Sequence, residues 1–210
     1  MTTGFVILAA GAGTRMGGVA KCLITLGGMS LIERLMCQLD ALGAQASDRV
    51  IVLGHHEAAI RAHLGQLPQA LRPRCVVNPH PEEDTASSLR AGLQALSPRV
   101  QQVAVLLADQ PLIDADDLRE ALRAYQQRPT GTRVQVPMVK GQPGHPVLFD
   151  AGVRADLGDP AQPHPPSLRQ WRAAHPKSVH LWSVDNPHYT HDLDTPEDLD
   201  ALASARTTAH

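Results

Sequence analysis

Residues 5–21 read FVILAAGAGTRMGGVAK: an apolar run breaks into glycine and is then flanked by two cations, Arg15 and Lys21. Phe5 to Leu8 is short, branched and uncharged, as a strand buried on both faces should be. Behind it, Gly11, Gly13, Gly17 and Gly18 let the backbone take positive φ and approach a ligand closely, so that amide N–H groups point at phosphate oxygens. In parallel α/β sheets the loop after the first strand opens beyond the carboxyl edge, where ligands bind. The stretch therefore predicts a phosphate cradle on an α/β fold.

Two common phosphate motifs fail on register. A dinucleotide fingerprint begun at Gly11 needs glycine where Met16 stands, and Asp40 and Asp48 are badly placed for its ribose-binding acid. A Walker A loop read from Gly13 to Gly18 needs lysine and then a hydroxyl residue, where Val19 and Ala20 follow.

The same alternation continues along the chain. Apolar runs at Phe5 to Leu8, Arg49 to Leu53, Arg74 to Val77, Val103 to Leu107, Val134 to Val139 and Val179 to Val184 are separated by helical periodicity, which predicts βαβ units and a mainly parallel sheet covered on both faces. Ser30 and Glu33 read as a capping box; Leu31, Leu35, Leu39 and Leu42 share one helical face, and Gly43 reads as the stop. A second helix is expected from Asp114, with Leu118, Ala121, Leu122 and Tyr125 inward, and a last one from Thr195, with Pro196 in its first turn. Between Asp159 and Pro166 the sequence DPAQPHPP is too rich in proline for regular structure and reads as a surface loop or lid.

Composition narrows the class. The 210 residues are 43% hydrophobic and 19% charged, the balance of one globular core, and no repeat or long linker divides them. A net charge of -2 offers no basic field for a nucleic-acid backbone. No apolar run approaches a membrane span and no basic, then apolar, leader opens the chain, so a cytoplasmic protein is expected. Cys22, Cys37 and Cys75 are odd in number and far apart, which predicts reduced, packed thiols.

Among the acids, Asp109 follows a buried apolar strand and so falls at the carboxyl edge of the sheet, where a hard oxygen ligand can hold Mg²⁺. Asp192 and Asp194 stand two apart in a short segment before the last helix, and one of them is expected to face that side. His55, His56 and Glu57 are adjacent, their side chains diverge, and they read as a surface helix start rather than a metal cluster. Asp116, Asp117, Glu197 and Asp198 read as solvated helix-start charges, and Cys22 as packing.

The pattern L-A-A-G-x-G-x-R-M-G-x(3)-K at Leu8 to Lys21 resembles the MobA-like nucleotidyltransferases of molybdenum cofactor biosynthesis. LLADQP at Leu106 to Pro111, GHPVLF at Gly144 to Phe149 and DLDTPEDL at Asp192 to Leu199 resemble the cytidylyltransferase, MocA-like branch of that family. The resemblance implies a single nucleotidyltransferase domain over residues 1–210, with a Rossmann-like three-layer α/β/α fold of the nucleotide-diphospho-sugar transferase kind and a mostly parallel sheet. It implies Mg²⁺-dependent transfer of an NMP unit, CMP from CTP, to the phosphate of a molybdopterin-type cofactor, with release of pyrophosphate.

Carried over residue by residue, Leu8, Ala9, Ala10, Gly11, Gly13, Thr14, Arg15, Met16, Gly17 and Lys21 would hold the nucleotide phosphates, through backbone amides from Ala10 to Gly17, and Asn78, Ser87 and Ser88 the base and ribose. Arg15, Lys21 and Asp109 would be catalytic, Asp109 and Asp192 would bind the metal, and Asp194 would orient the turn before the last helix. Gly144, His145 and Pro146 would meet the acceptor. The sequence departs from the family at Asp84, where glycine is usual, at Ala86, where serine is frequent, and at Pro160 to Pro166, where the branch continues with Gly-Ala-Arg. The nucleotide is thus open between CTP and GTP. Two alternatives also stay open, transfer to another small phosphorylated acceptor and a non-catalytic nucleotide-binding chaperone for molybdoenzyme maturation. Implied partners are the NTP, the molybdopterin-type molecule and, transiently, a molybdoenzyme; a nucleic acid or membrane partner is not expected.

Overall fold

The computed structural model describes residues 2–46, 48–159, 161, 165–195, 197–199 and 202. The strands are β1 (Thr3–Ala9), β2 (Thr25–Leu26), β3 (Met29–Ser30), β4 (Asp48–Leu53), β5 (Arg74–Val77), β6 (Gln102–Leu107), β7 (Val134–Val139), β8 (Gln142–Pro143), β9 (Val147–Asp150) and β10 (Val179–Ser183). The helices are α1 (Leu31–Asp40), α2 (Glu57–Gln66), α3 (Thr85–Ala95), α4 (Ala115–Gln126), α5 (Ala151–Gly158) and α6 (Leu168–Ala174). All six strands expected from the apolar runs form.

The main sheet has the order β10-β7-β9-β6-β1-β4-β5, with β8 added to β7, and β2 and β3 make a separate small hairpin. β1 lies parallel to both β4 and β6, β4 to β5, and β7 to β10. β9 is inserted antiparallel between β6 and β7. It was hidden in the GHPVLF motif, because three consecutive buried residues, Val147 to Phe149, carry no alternation to mark a strand.

Alternation along β1 builds the three layers. Phe5 and Ile7 are fully buried with Ile32, Leu35 and Met36 of α1, Ile60 and Leu64 of α2, and Leu118, Leu122 and Tyr125 of α4. Val6 faces the other way and packs with Leu89 and Leu93 of α3, Val153 and Leu157 of α5 and Trp171 of α6. Each such side chain contributes about 1.5–3 kcal/mol of apolar burial, so the face assignment of every strand is strongly held.

Helix ends follow mostly local rules. Ser30 accepts the Glu33 amide at 3.2 Å, but Glu33 does not complete the expected box; the Ser30 hydroxyl instead also meets His63 Nε2 at 2.8 Å. α1 stops at Asp40, before Gly43, whose φ of 60° opens a short 3-10 turn. Asp114 and Asp117 do form a full capping box on α4. Asp117 is not the solvated charge expected: it is buried, because Asn186 and His188 donate to its two oxygens at 2.6 and 2.8 Å. Asp84, the departure from the family glycine, is the N-cap of α3 and accepts the Ser87 amide at 2.7 Å. Most of the proline-rich segment (residues 160 and 162–164) and Pro196 lie outside the described residues. Residues 197–199 are helical, with Asp198 capping back onto the amides of Asp194 and Thr195. Among the described residues, no helix is long and apolar enough to cross a membrane.

The parallel register decides where the site forms. Leu8 stands opposite Leu107, and Ala9 opposite Leu53. The loops leaving β1, β4 and β6 therefore emerge side by side at one edge of the sheet.

Candidate active site

The loop after β1 is shaped by its own hydrogen bonds. Gly13 takes φ 63°, and a Cβ there would run into the Val19 carbonyl oxygen, so only glycine fits. Its carbonyl accepts the Met16 and Gly18 amides at 2.9 and 3.0 Å, and the Gly17 amide donates to Thr14 at 3.2 Å. Met16 and Gly17 thus spend their amides inside the turn, contrary to the expectation that they hold phosphate. The amides of Gly11 to Arg15 have no acceptor among the described residues, and these are the open part of the cradle.

Under this loop lies a cavity of about 290 Å³, bounded by Gly11, Gly13, Lys21, His56, Asp109 and Asp194 among others. Lys21 Nζ stands 2.5 Å from Asp194 Oδ1 and 3.5 Å from Asp109 Oδ2, and Arg15 Nη1 is 3.2 Å from Asp194 Oδ2. Burial works against the Lys21 ammonium, but its hydrogen bond to Asp194 and the charges of Asp109 and Asp194 outweigh it and hold the pKa above the ordinary value. Burial raises the Asp109 carboxyl, with Lys21 opposing. Asp192 is pushed up to about 6, first by burial and then by the charge of Asp109.

The sequence reading gave Asp194 only a turn-orienting role. The structure adds a contact it missed, since the side chain enters the cavity as counter-ion to both cations. A fixed backbone link explains the reach: the Leu193 amide donates to the Asp109 carbonyl at 2.9 Å, and so clamps residues 192–194 against the end of β6.

Three carboxylates against two cations make a donor set suited to a hard divalent ion. Asp192 Oδ1 is buried without a hydrogen-bond partner, which fits an oxygen that takes its partner from a metal. A second acidic group, Asp114, Asp117 and His188, also brings its ligand atoms within 4.8 Å. There, however, both Asp117 oxygens and Asp114 Oδ1 are already occupied by capping and side-chain hydrogen bonds, so the group is a structural network.

The remaining expected site residues fall into two clusters. Asn78 is buried and donates to Ser87 Oγ at 2.8 Å and Ser88 Oγ at 2.9 Å, while its Oδ1 accepts the His80 amide. These three side chains stabilise the turn into α3 and do not line the cavity. His145 donates its amide to the Tyr189 carbonyl at 2.8 Å, and Gln110 Nε2 donates to the same oxygen at 3.2 Å. Gly144, His145 and Pro146 are thereby tied to the residue after Asp109, on the side of the site away from the glycine loop. Burial, and then the charge of Arg172, lower the His145 pKa to about 4, so the ring is neutral at pH 7. Cys22 lines the cavity as a thiol pushed up to about 12 by burial, in keeping with packing.

A glycine loop with free amides, two cations and clustered carboxylates at the carboxyl edge of a three-layer α/β sheet make a site whose chemistry suits phosphate groups. Residues 5–181 match the MobA-like NTP transferase domain, and the chain belongs to that family. Asp192 and Asp194 lie beyond the matched stretch; Asp194 lines the cavity, and Asp192 is close enough to Asp109 to feel its charge.

The bifunctional protein GlmU of Rhodococcus opacus (strain B4) is 34% identical over 137 residues, 64% of this chain and 27% of that protein. The chain thus spans roughly a quarter of the length of the curated relatives it matches. Rv0371c of Mycobacterium tuberculosis H37Rv superposes with a TM-score of 0.71 at 26% identity, covering 97% of this chain and 98% of that one. A further structure of Rv0371c, in complex with manganese, superposes at 0.69 with 25% identity, over 98% of this chain and 100% of that one. A nucleotidyl transferase from Methanothermobacter thermautotroptrophicus (Mth528) shares the fold, with a TM-score of 0.76 at 19% identity over 100% of this chain and 99% of that one.

Proposed function

We propose that the protein is a nucleotidyltransferase that moves an NMP unit, CMP from CTP, onto the phosphate of a molybdopterin-type acceptor and releases pyrophosphate. The observation that carries this reading is the convergence of Lys21, Arg15, Asp109 and Asp194 in one cavity beneath the free amides of Gly11 to Arg15. A triphosphate entering there meets the free N–H groups of the lining residues Gly11, Gly13, Thr14 and Arg15, and Arg15 and Lys21 exchange Asp194 for phosphate oxygens. Lys21, set deepest, neutralises charge near the α-phosphorus, and Arg15 at the mouth holds the leaving pyrophosphate.

Asp109 and Asp192 are the residues that would hold a divalent cation, which supplies charge neutralisation between acceptor phosphate and α-phosphate. Mg²⁺ is the proposed ion, and the manganese complex of Rv0371c supports a divalent site in a relative. Gly144, His145 and Pro146 would receive the acceptor, with the neutral His145 ring adding no charge to repel or trap it. The acceptor phosphate oxygen attacks, the bond to the bridging oxygen of pyrophosphate breaks, and catalysis is largely positioning and electrostatic stabilisation.

A second reading, transfer to a different small phosphorylated acceptor, is kept beside the first because the chain also shares 34% identity with the bifunctional protein GlmU over 64% of its length. The test has two stages. A thermal-shift panel of CTP, GTP, ATP and UTP with Mg²⁺ or Mn²⁺ should show about 2.7 kcal/mol of stabilisation at a hundred times Kd for the true nucleotide; silence from all four removes the reading. Pyrophosphate release with a molybdopterin-type acceptor, set against sugar and isoprenoid phosphates, then chooses the acceptor, and Asp109→Asn should abolish the metal-dependent product.

A further inference from the structure

The two histidines at the start of α2 face the glycine loop. His55 Nδ1 lies 3.0 Å from the Ala10 carbonyl oxygen, its amide lies 3.4 Å from the same oxygen, and His56 Nε2 lies 3.1 Å from the Ala12 carbonyl oxygen. A carbonyl oxygen only accepts, so in both rings the facing nitrogen carries the proton. The chain is steered into this position by Gly54, where a Cβ would come within 2.7 Å of the Ala10 carbonyl oxygen. α2 accordingly starts without a side-chain cap, since the His56 ring is turned to the loop.

In a trans peptide the C=O and the following N–H lie in one plane and point in opposite directions. Fixing the Ala10 carbonyl on His55 therefore turns the Gly11 N–H the opposite way, and fixing the Ala12 carbonyl on His56 turns the Gly13 N–H away from that ring. Gly11 and Gly13 both line the cavity, and both amides are without an acceptor among the described residues. With flexible glycines at these positions, none of the loop's own hydrogen bonds holds those two peptide planes, and beside the two rings only the His55 amide, at 3.4 Å, meets the Ala10 carbonyl.

We infer that His55 and His56 are positioning residues that hold the Ala10 and Ala12 carbonyls, and so fix the peptide planes that present the Gly11 and Gly13 amides to the nucleotide triphosphate. The inference rests on the proposed nucleotide-binding reading. Without the clasp the free loop samples flipped peptide planes, and the nucleotide must select the rare correct one, which raises Kd in proportion.

The test compares wild type with His56→Phe, the double variant His55→Phe/His56→Phe, and His56→Gln, whose side-chain amide restores a donor. The probe is CTP, or GTP where wild type prefers it, titrated by calorimetry with Mn²⁺, together with steady-state turnover and the ligand-free melting temperature. His56→Phe should weaken nucleotide binding and raise KM about tenfold, the double variant more, with kcat changing less than KM and the ligand-free melting temperature within 2 °C of wild type. His56→Gln should stay within about threefold of wild type. Wild-type affinity in the double variant, equal loss in His56→Gln and His56→Phe, or a large fall in ligand-free stability overturns the inference. Failure of wild type itself to bind either nucleotide instead overturns the proposed function.

Discussion

Replacing Lys21 by methionine keeps the length of the side chain and removes its charge. Lys21 stands between two carboxylates: its ammonium is 2.5 Å from Asp194 and 3.5 Å from Asp109, and its side chain is only 17% exposed. At an effective dielectric near 20, a unit pair at ~4 Å attracts by about 4 kcal/mol. Solvent, side-chain entropy and the 44% exposure of Asp194 return most of this, and a net destabilisation of about 1–2 kcal/mol is expected. The carboxylates, deprived of their internal cation, should then bind an external one more tightly, by about 1–1.5 kcal/mol or roughly tenfold in Kd. Turnover should move the opposite way. Loss of a preorganised charge at the α-phosphate costs about 3 kcal/mol of transition-state stabilisation, or on the order of a hundredfold in kcat. Mn²⁺ binding without nucleotide, followed by electron paramagnetic resonance, and pyrophosphate release at saturating NTP measure the two effects. Unchanged or weaker Mn²⁺ affinity in Lys21→Met, together with near-normal turnover, would refute both the metal site and the role of the lysine.

Gly13→Ala forces a Cβ against the Val19 carbonyl at φ 63°; the left-handed backbone alone costs about 1–2 kcal/mol, so calorimetry should show a melting temperature about 4 °C lower and nucleotide binding should be lost. For His145, the folded pKa near 4 against 6.5 in the unfolded chain means that only the unfolded state takes up the proton between those values. Stability is therefore full above about pH 6.5 and falls as the pH drops towards 4, by about 2 kcal/mol given the partial solvent access of the ring; urea titrations across that range should show a shallower slope in His145→Gln. The Cys22 thiol, buried and pushed up to about 12, should resist iodoacetamide at pH 8 in the folded protein and react on unfolding, as mass spectrometry of the alkylated peptide would report.

Some of the site was legible from local rules. Phe5 to Leu8 reads as a buried strand because branched apolar residues without charge suit both faces of a parallel sheet, and the following glycines read as a loop because the required φ values exclude other residues. Asp109 could be put at the sheet edge by counting from a buried run. Other features left no local trace. Asp117 looks like any first-turn acid until Asn186 and His188 arrive from the far side of the chain. His55 and His56 look like a surface helix start until the register of β4 against β1 brings them under the loop.

The sequence by itself determined the βαβ alternation, the glycine turn after β1, the helix start at Asp114 and the aliphatic faces of α1 and α4, because each depends on neighbours within a few residues, through backbone dihedral preference or helical and strand periodicity. Only the tertiary structure decided that β9 enters antiparallel beside β6, that Asp194 crosses 173 positions to meet Lys21, and that the loop carbonyls are held by histidines 44 and 45 residues away. Those contacts are set by strand order and by which loops share the carboxyl edge. Strand order in turn follows from the total apolar surface that the assembled layers bury, a quantity that no single segment carries.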